Sequence, residues 1–340
     1  MKYFSKAPLR IGLAGGGTDV SPYSDLFGGA VLNATVSLYA SATIEIINEN
    51  KIIIEALDIN EKQEYNFTHQ LPIDGQLDLL KAVYNRIQQD YAMPVTGFKL
   101  STFVDAPAGS GLGTSSTLVV AVLGAFKEML QLPITNYETA QYAYDIERND
   151  LKLTGGKQDQ YAATFGGVNF MEFYDAGKVI VNPLQVPGDY LKELENNLVL
   201  YFTAISRESA DIIPEQVNNV LTKNETSINA MHHLKEQAQM MKDALLNGKL
   251  DEMGEILDYG FKQKKLMAKN ISNNTIESIY SAAKKSGATG GKISGAGGGG
   301  FMIFYCPGNS RNNVIEALNS FGGEVKKYSF VKQGLTTVTL

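Results

Sequence analysis

Asp105-Ala-Pro-Ala-Gly-Ser-Gly-Leu-Gly-Thr-Ser-Ser-Thr117 is the stretch around which this 340-residue chain is organised. Glycines alternate at Gly109, Gly111 and Gly113, the hydroxyls of Thr114, Ser115 and Ser116 follow, and an apolar run from Leu118 to Phe126 comes next. Glycines let a backbone approach a ligand closely. A helix that starts directly after them aims unpaired N–H groups, and the positive end of its dipole, at whatever the loop holds. That combination is a seat for an anion, most often a phosphate. Hydroxyls beside a phosphate are ligands for the metal that accompanies it.

Working outward, Phe98–Val104 reads as a short strand feeding the loop, and Ser116–Leu130 as a helix apolar almost all round and therefore buried. A further helix spans about 136–149, with Ala140, Ala143, Tyr144 and Ile146 inward. Towards the N-terminus, Tyr3–Ala14 is strand-like and ends in Gly15-Gly16-Gly17-Thr18-Asp19. Residues 31–47, Lys51–Leu57 and Glu64–Phe67 predict antiparallel strands, and Asp78–Tyr91 has helical spacing. Beyond the second helix, residues 153–160 form a polar glycine turn leading into Tyr161, and Val168–Phe173 and Val179–Val186 are strand-like. Composition breaks at Pro187-Gly188-Asp189. Then come a strand at Asn197–Thr203, a helical and more polar region over 208–270, and a helix at 275–286. A segment with eight glycines follows from Gly287 to Gly300, then a strand at Phe301–Tyr305, a helix at 312–321 and a β-rich tail over 323–340. Strands and helices mix without a βαβ rhythm. That predicts an α+β fold in two lobes, 1–190 and 191–340, with the seam near 187–197.

Composition narrows the function. The 30 basic and 36 acidic residues leave a net charge of −6, so there is no global basic footprint for nucleic acid. The longest uncharged run, Ala106 to Phe126, holds Pro107, four glycines and five hydroxyl residues, which makes a poor membrane span. The start of the chain lacks a signal-type apolar segment. These features predict a cytoplasmic protein whose partners are small molecules; a monomer or homodimer is expected, between which the sequence does not choose. Cys306, the only cysteine, lies in a strand-like run and reads as a small buried hydrophobe rather than a reactive thiol. His69, His232 and His233 have no metal-binding spacing, and the His232-His233 pair reads as solvated helix surface.

Two familiar nucleotide motifs fail. Gly109–Ser116 lacks the lysine of a P-loop. Gly295–Gly300 matches G-x-G-x-x-G by letter, but a strand rather than a helix follows it. Taken in order, however, three segments resemble the GHMP kinases. Ala7-Pro-Leu-Arg-Ile-Gly-Leu-Ala-Gly-Gly-Gly-Thr-Asp19 matches the first motif of that family, and Pro107–Ser115 matches the second, with Thr114 in place of a serine. Lys292-Ile-Ser-Gly-Ala-Gly-Gly-Gly-Gly300 matches the third. The resemblance implies an N-terminal α+β lobe, a C-terminal ferredoxin-like lobe, and ATP and substrate between them. Gly16 and Gly17 stand where galactokinases carry Glu and His. With Tyr201–Arg207, this is similar to the branch that phosphorylates D-glycero-D-manno-heptose 7-phosphate at the anomeric position, with the bacterial fucokinase domain a close relative.

The resemblance also implies roles. Asp159, in Gly155-Gly-Lys-Gln-Asp-Gln160, would be the base and Arg10 its cationic partner. Pro107, Gly109, Ser110, Gly111, Leu112, Gly113, Thr114, Ser115 and Ser116 would bind ATP. Ser115 and Glu147 would hold Mg²⁺, with Thr114 and Ser116 able to replace Ser115. Asp19, Gly16, Gly17 and Thr18 would bind the sugar, along with Gly297 and Gly298. The substrate's own phosphate needs a cation; Lys6, Lys157, Arg207 and Lys292 are candidates between which the sequence does not choose. Taken alone, Asp159 is equally a turn residue, Glu147 a solvated helix end and Arg10 a strand surface residue. Other outcomes are a fucose or other hexose 1-kinase, or a non-catalytic sugar and ATP sensor on the same fold.

Overall fold

The computed structural model describes residues 1–91, 93, 96–204 and 212–340. Two sheets dominate it. The first runs through β1 (Lys2–Ala14), β2 (Gly29–Ile47), β3 (Lys51–Ala56), β4 (Glu61–Asn66), β5 (Gly97–Val104), β6 (Val168–Phe173) and β7 (Val179–Pro183), and is completed by the last strand of the chain, β12 (Thr336–Thr339). Its order is β12-β1-β2-β5-β3-β4, with β6 and β7 branching from β2. The 19-residue β2 makes this possible: its first part pairs with β6 and its second with β5. Pairing is antiparallel except between β3 and β5.

Alternation in these strands puts one face inward, as in β3, where Ile52, Ile54 and Ala56 are buried. Covering that face are α2 (Asp78–Tyr91), α3 (Thr114–Leu130), α4 (Asn136–Asp145) and α5 (Gln158–Phe165). The apolar α3 is central; Val119 to Phe126 are all buried. Tyr84, Phe98 and Phe126 join α2, β5 and α3 with ring centroids 5.5–6.4 Å apart. A short helix, α1 (Tyr23–Phe27), follows the first glycine turn, and α6 (Gly188–Asn197) bridges to the second lobe.

The second lobe comprises β8 (Leu198–Phe202), α7 (Ile212–Leu221), α8 (Glu225–Leu246), α9 (Glu252–Lys264), α10 (Asn274–Lys285), β9 (Gly290–Ile293), β10 (Phe301–Tyr305), α11 (Ser310–Asn319) and β11 (Glu324–Lys326). The antiparallel order β11-β8-β10-β9 is the ferredoxin-like arrangement, helices packing on the sheet. Asn224 and Asn273 cap α8 and α10 through their side chains. Cys306 is fully buried and its thiol is pushed up to about 12 by that burial, the behaviour of a packing residue. No helix among the described residues is long and apolar enough to cross a membrane.

Several elements differ from expectation. The helix begun at Asn136 is regular only to Asp145; Ile146–Asp150 forms one π turn, closed by Leu151 N–H to Ile146 C=O at 3.0 Å. The segment after the Gly155-Gly156 turn is helical (α5), and so is the composition break at 188–197 (α6). Both are short, and glycine or proline at their starts hides them. His232 is not solvated surface; its ring takes a 2.8 Å hydrogen bond from or to the Tyr23 hydroxyl and packs on Phe27. A cut between 190 and 191 does not separate the sheets, because β12 returns to pair with β1.

Candidate active site

The second-motif loop and the start of α3 face a cleft between the lobes. Gly109, Gly111 and Gly113 have φ of 70°, 92° and 77°, the left-handed region that requires glycine. Gly113 is the N-cap of α3 and no side chain caps the helix, so its first N–H groups point out with no side-chain partner. Gly109, Gly111, Gly113, Thr114, Ser115 and Ser116 line the cleft. Pro107, Ser110 and Leu112 do not. Pro107 is exposed, the Ser110 carbonyl accepts from Phe301 N–H at 2.8 Å, and the Leu112 carbonyl accepts from Arg10 N–H at 3.1 Å. These three shape the loop rather than face its contents.

Beneath the loop, Arg10 of β1 is buried. Its Nε donates to Asp159 Oδ1 at 2.6 Å and its Nη1 to the Gly111 carbonyl at 2.6 Å. The same carbonyl accepts from Ser294 Oγ of the second lobe at 2.8 Å. Asp159 sits in the first turn of α5 with its carboxylate partly open to the cleft. A Cβ on Gly113 would stand 3.0 Å from Asp159 Cγ, so loop and carboxylate are in contact. One cationic side chain therefore fixes the carboxylate, the loop and, through Ser294, the opposite lobe.

Glu147 lies in the π turn, 2 % exposed. Such turns concentrate at functional sites because they re-aim a side chain. Its carboxylate accepts from Ser116 Oγ at 3.0 Å and Gln160 Nε2 at 2.5 Å, and Arg148 stands 3.7 Å away. Burial dominates and pushes its carboxyl above the usual range, with Arg148, Gln160 and Ser116 opposing. A buried carboxylate so incompletely compensated, beside hydroxyls and under a phosphate-type loop, suits a hard cation. Among the described residues there is no group of three or more His, Cys, Asp and Glu that could hold a metal ion. The hydroxyl that touches Glu147 is that of Ser116; Ser115 is half-buried on the cleft wall.

Asp19 is 2 % exposed on the far side. It accepts from Gln158 N–H at 3.1 Å and Gln158 Nε2 at 3.2 Å, and from Gly17 N–H at 3.2 Å. A side chain on Gly156 would collide with this carboxylate, which explains the glycine turn before α5. Asp19 is thus tied to Gln158, the residue before Asp159 in α5. Gly16 and Gly17 line the cleft, whereas Thr18 is turned inward, its hydroxyl on the Gly15 and Ala30 carbonyls at 2.8 and 2.9 Å.

Other sequence candidates lie elsewhere. Gly297 packs on Ile271 and Gly298 N–H donates to the Ile271 carbonyl at 2.9 Å, so these two glycines serve packing within the second lobe, and Gly295 and Ala296 reach the cleft instead. Lys157 is buried on Asp25 at 3.3 Å, away from the cleft lining, because the turn before α5 swings it towards α1. Lys6 is exposed over the Tyr39 ring. Arg207 lies outside the described residues. Lys292 does line the cleft, together with Arg148, Lys264 and Gln216, which the sequence reading missed. On a polar helix Lys264 and Gln216 look like solvent-facing residues, and nothing local marks them otherwise.

Comparison with known proteins bears on this geometry. Residues 78–167 match the GHMP kinases N terminal domain and residues 241–324 the GHMP kinases C terminal domain. The chain is 47 % identical to a D-glycero-alpha-D-manno-heptose 7-phosphate kinase from Campylobacter jejuni over 97 % of each chain. It is 28 % identical over 88 % of its length to an L-fucokinase/L-fucose-1-P guanylyltransferase from Bacteroides fragilis, spanning 34 % of that protein. A crystal structure of a D-glycero-D-manno-heptose 1-phosphate kinase from Bacteroides thetaiotaomicron superposes with a TM-score of 0.85 at 46 % identity, covering 99 % of each chain.

Proposed function

We propose that this chain, which belongs to the GHMP kinases and is an ATP-dependent sugar kinase, transfers the γ-phosphoryl group of ATP to the anomeric hydroxyl of D-glycero-α-D-manno-heptose 7-phosphate, giving the 1,7-bisphosphate and ADP. The observation that carries the chemistry is the Arg10–Asp159 pair at 2.6 Å, held against the glycine loop. The kinship to the heptose 7-phosphate kinase carries the substrate. The two heptose kinases similar to this chain are named for different phosphates, 7 in one and 1 in the other. A reaction that starts from a 7-phosphate and adds a phosphate at position 1 accommodates both names.

In this reading the loop N–H groups and the α3 N-terminus seat the nucleotide phosphates. The anomeric oxygen attacks the γ-phosphorus, the bond to the β-phosphate oxygen breaks, and the hydroxyl proton passes to the Asp159 carboxylate. Arg10 holds that carboxylate in place and faces the negative charge on the moving phosphoryl group. Asp19, fixed from two sides by Gln158, receives sugar hydroxyls, which discriminates polyols better than apolar contact does. Mg²⁺, with Glu147 and a hydroxyl of Ser115 or Ser116 as its protein ligands, would neutralise charge on the phosphates. The carboxylates and loop of the first lobe and the lysines and glycines of the second line one cleft.

A kinetic screen tests the substrate. Heptose 7-phosphate, heptose 1-phosphate, the free heptose, L-fucose and galactose are offered with ATP, and the product position is read by phosphorus NMR. The 7-phosphate should be preferred in kcat/KM by roughly 100-fold or more, with a new resonance at the anomeric position. Turnover of unphosphorylated sugars alone would overturn the proposal.

A further inference from the structure

Two lysines of the second lobe reach the cleft at one place. Lys264, at the end of α9, donates to the Gly16 carbonyl at 3.3 Å, and Lys292, in β9, donates to the Gly12 carbonyl at 2.8 Å. Both are nearly completely buried. Among the described residues the charged neighbours acting on Lys292 are Lys264 and Arg10, both cations, and burial, aided by these, holds its ammonium well below the usual lysine range. Its hydrogen bond among the described residues goes to a carbonyl dipole. A buried ammonium so placed is under-compensated, and an arriving anion would supply what it lacks.

The floor below these lysines is open. Among the described residues a Cβ built on Gly16 would find no heavy atom nearer than Lys292 Nζ at 4.0 Å, its chain neighbours aside, and Gly16 has no left-handed φ that would demand glycine. Glycine at this position leaves space, not backbone freedom. The transfer end of the cleft is served separately, since Arg10 is bound to Asp159 and to Gly111 of the loop.

Resting on the heptose-phosphate reading above, we infer that Lys264 and Lys292, over the Gly16 floor, form the subsite for the phosphate group the sugar already carries, while Arg10 serves the phosphoryl group in transit. The longer arm of a seven-carbon sugar phosphate passes where a side chain at position 16 would lie. A nucleotide phosphate has the same chemistry, and the measurements separate the two sources.

The test uses Lys264→Met, Lys292→Met and Gly16→Ala in the full chain. Steady-state kinetics are run on heptose 7-phosphate and on the free heptose, and binding of heptose 7-phosphate and of ATP is measured by calorimetry in separate titrations. Each lysine substitution should weaken heptose 7-phosphate about tenfold or more, the loss of one charge-assisted contact, and lower the preference over free heptose by the same factor. The ATP constants should move about twofold or less. Gly16→Ala should weaken the phosphorylated sugar through the added methyl, and it tests the same subsite if a lysine variant fails to fold. Equal losses on both sugars, or a loss that falls on ATP, would overturn the assignment. A wild-type enzyme without preference for the phosphorylated sugar would overturn the substrate proposal itself. A preferring wild type whose variants keep the preference would sink the subsite alone.

Discussion

The molecule carries two glycine-rich loops that meet, and they use glycine for different ends. In the loop at 109–116 the left-handed residues turn backbone and hydroxyls toward the cleft, and Gly113 rests on the Asp159 side chain. In the loop at 295–300 most of the glycines look away from the cleft. Gly300 lies so tightly on the Ser110 carbonyl that a side chain there would strike backbone, and Phe301 N–H bonds that same carbonyl. The first loop opens onto the cleft; the second lets one lobe's backbone lie on the other's. Glycine content by itself does not distinguish them, and the atom that a Cβ would meet does.

The largest effect should come from the group the first loop touches. Asp159→Asn should retain ATP binding and lower kcat by about 10²–10⁴-fold, and an unchanged rate in a single-turnover assay would remove Asp159 from the chemistry. Next come paired glycine substitutions, which should give opposite profiles. Gly113→Ala places a methyl against Asp159 and should cost roughly 100-fold in kcat through misplacement of the carboxylate, with about 1–2 kcal/mol of stability from its left-handed φ. Gly300→Ala should cost about 1–3 kcal/mol by denaturant titration, with the smaller loss of kcat of the two. If Gly300→Ala loses activity at unchanged stability, the distinction between the loops fails.

The smallest effect is a pH dependence on the second lobe's side. Lys292 has a folded-state pKa below its unfolded one, so between those values the unfolded chain binds more protons and stability rises with pH. The penalty of burying the charged form is fully present below the folded pKa and is gone above the ordinary lysine value. Lys292→Met removes this term, so the stability of the variant relative to wild type should decline as pH climbs through that window. Parallel stability curves would show that the ammonium carries no such penalty.

Much of the site was legible because it is written in consecutive residues. The loop at 109–116, Arg10 with Asp19 in the first motif, and the Glu147 and Asp159 pair a dozen positions apart all lie within short stretches, and the structure brings them to one cleft. What escaped depends on long-range placement. Lys264 and Gln216 sit on amphipathic helices, where sequence gives no sign that the polar face is covered by another lobe. Gln160 was read as part of a turn, yet its Nε2 donates to both Ser116 Oγ and the Glu147 carboxylate. The third motif was placed correctly as a loop, but Gly297 and Gly298, assigned to ligand, lie outside the cleft lining and pack within the second lobe. In the fold, strands with alternating burial were found to within a few residues, while α5, α6 and β9 were hidden by flanking glycine and proline.

The return of β12 to the first sheet has a consequence for how the protein is made. Leu335 N–H bonds the Thr164 carbonyl at 3.1 Å, its side chain occupies the space that Gly124 leaves on α3, and Thr337 and Thr339 donate to Glu128 at 2.6 and 2.8 Å. The helix that bears Asp159 and the helix that begins at the 109–116 loop are therefore both fastened by residues near 340. A nascent chain cannot finish its first lobe until these residues leave the ribosome, so the two lobes mature together rather than in sequence. Heating should likewise melt them in one calorimetric transition, despite two separate sheets.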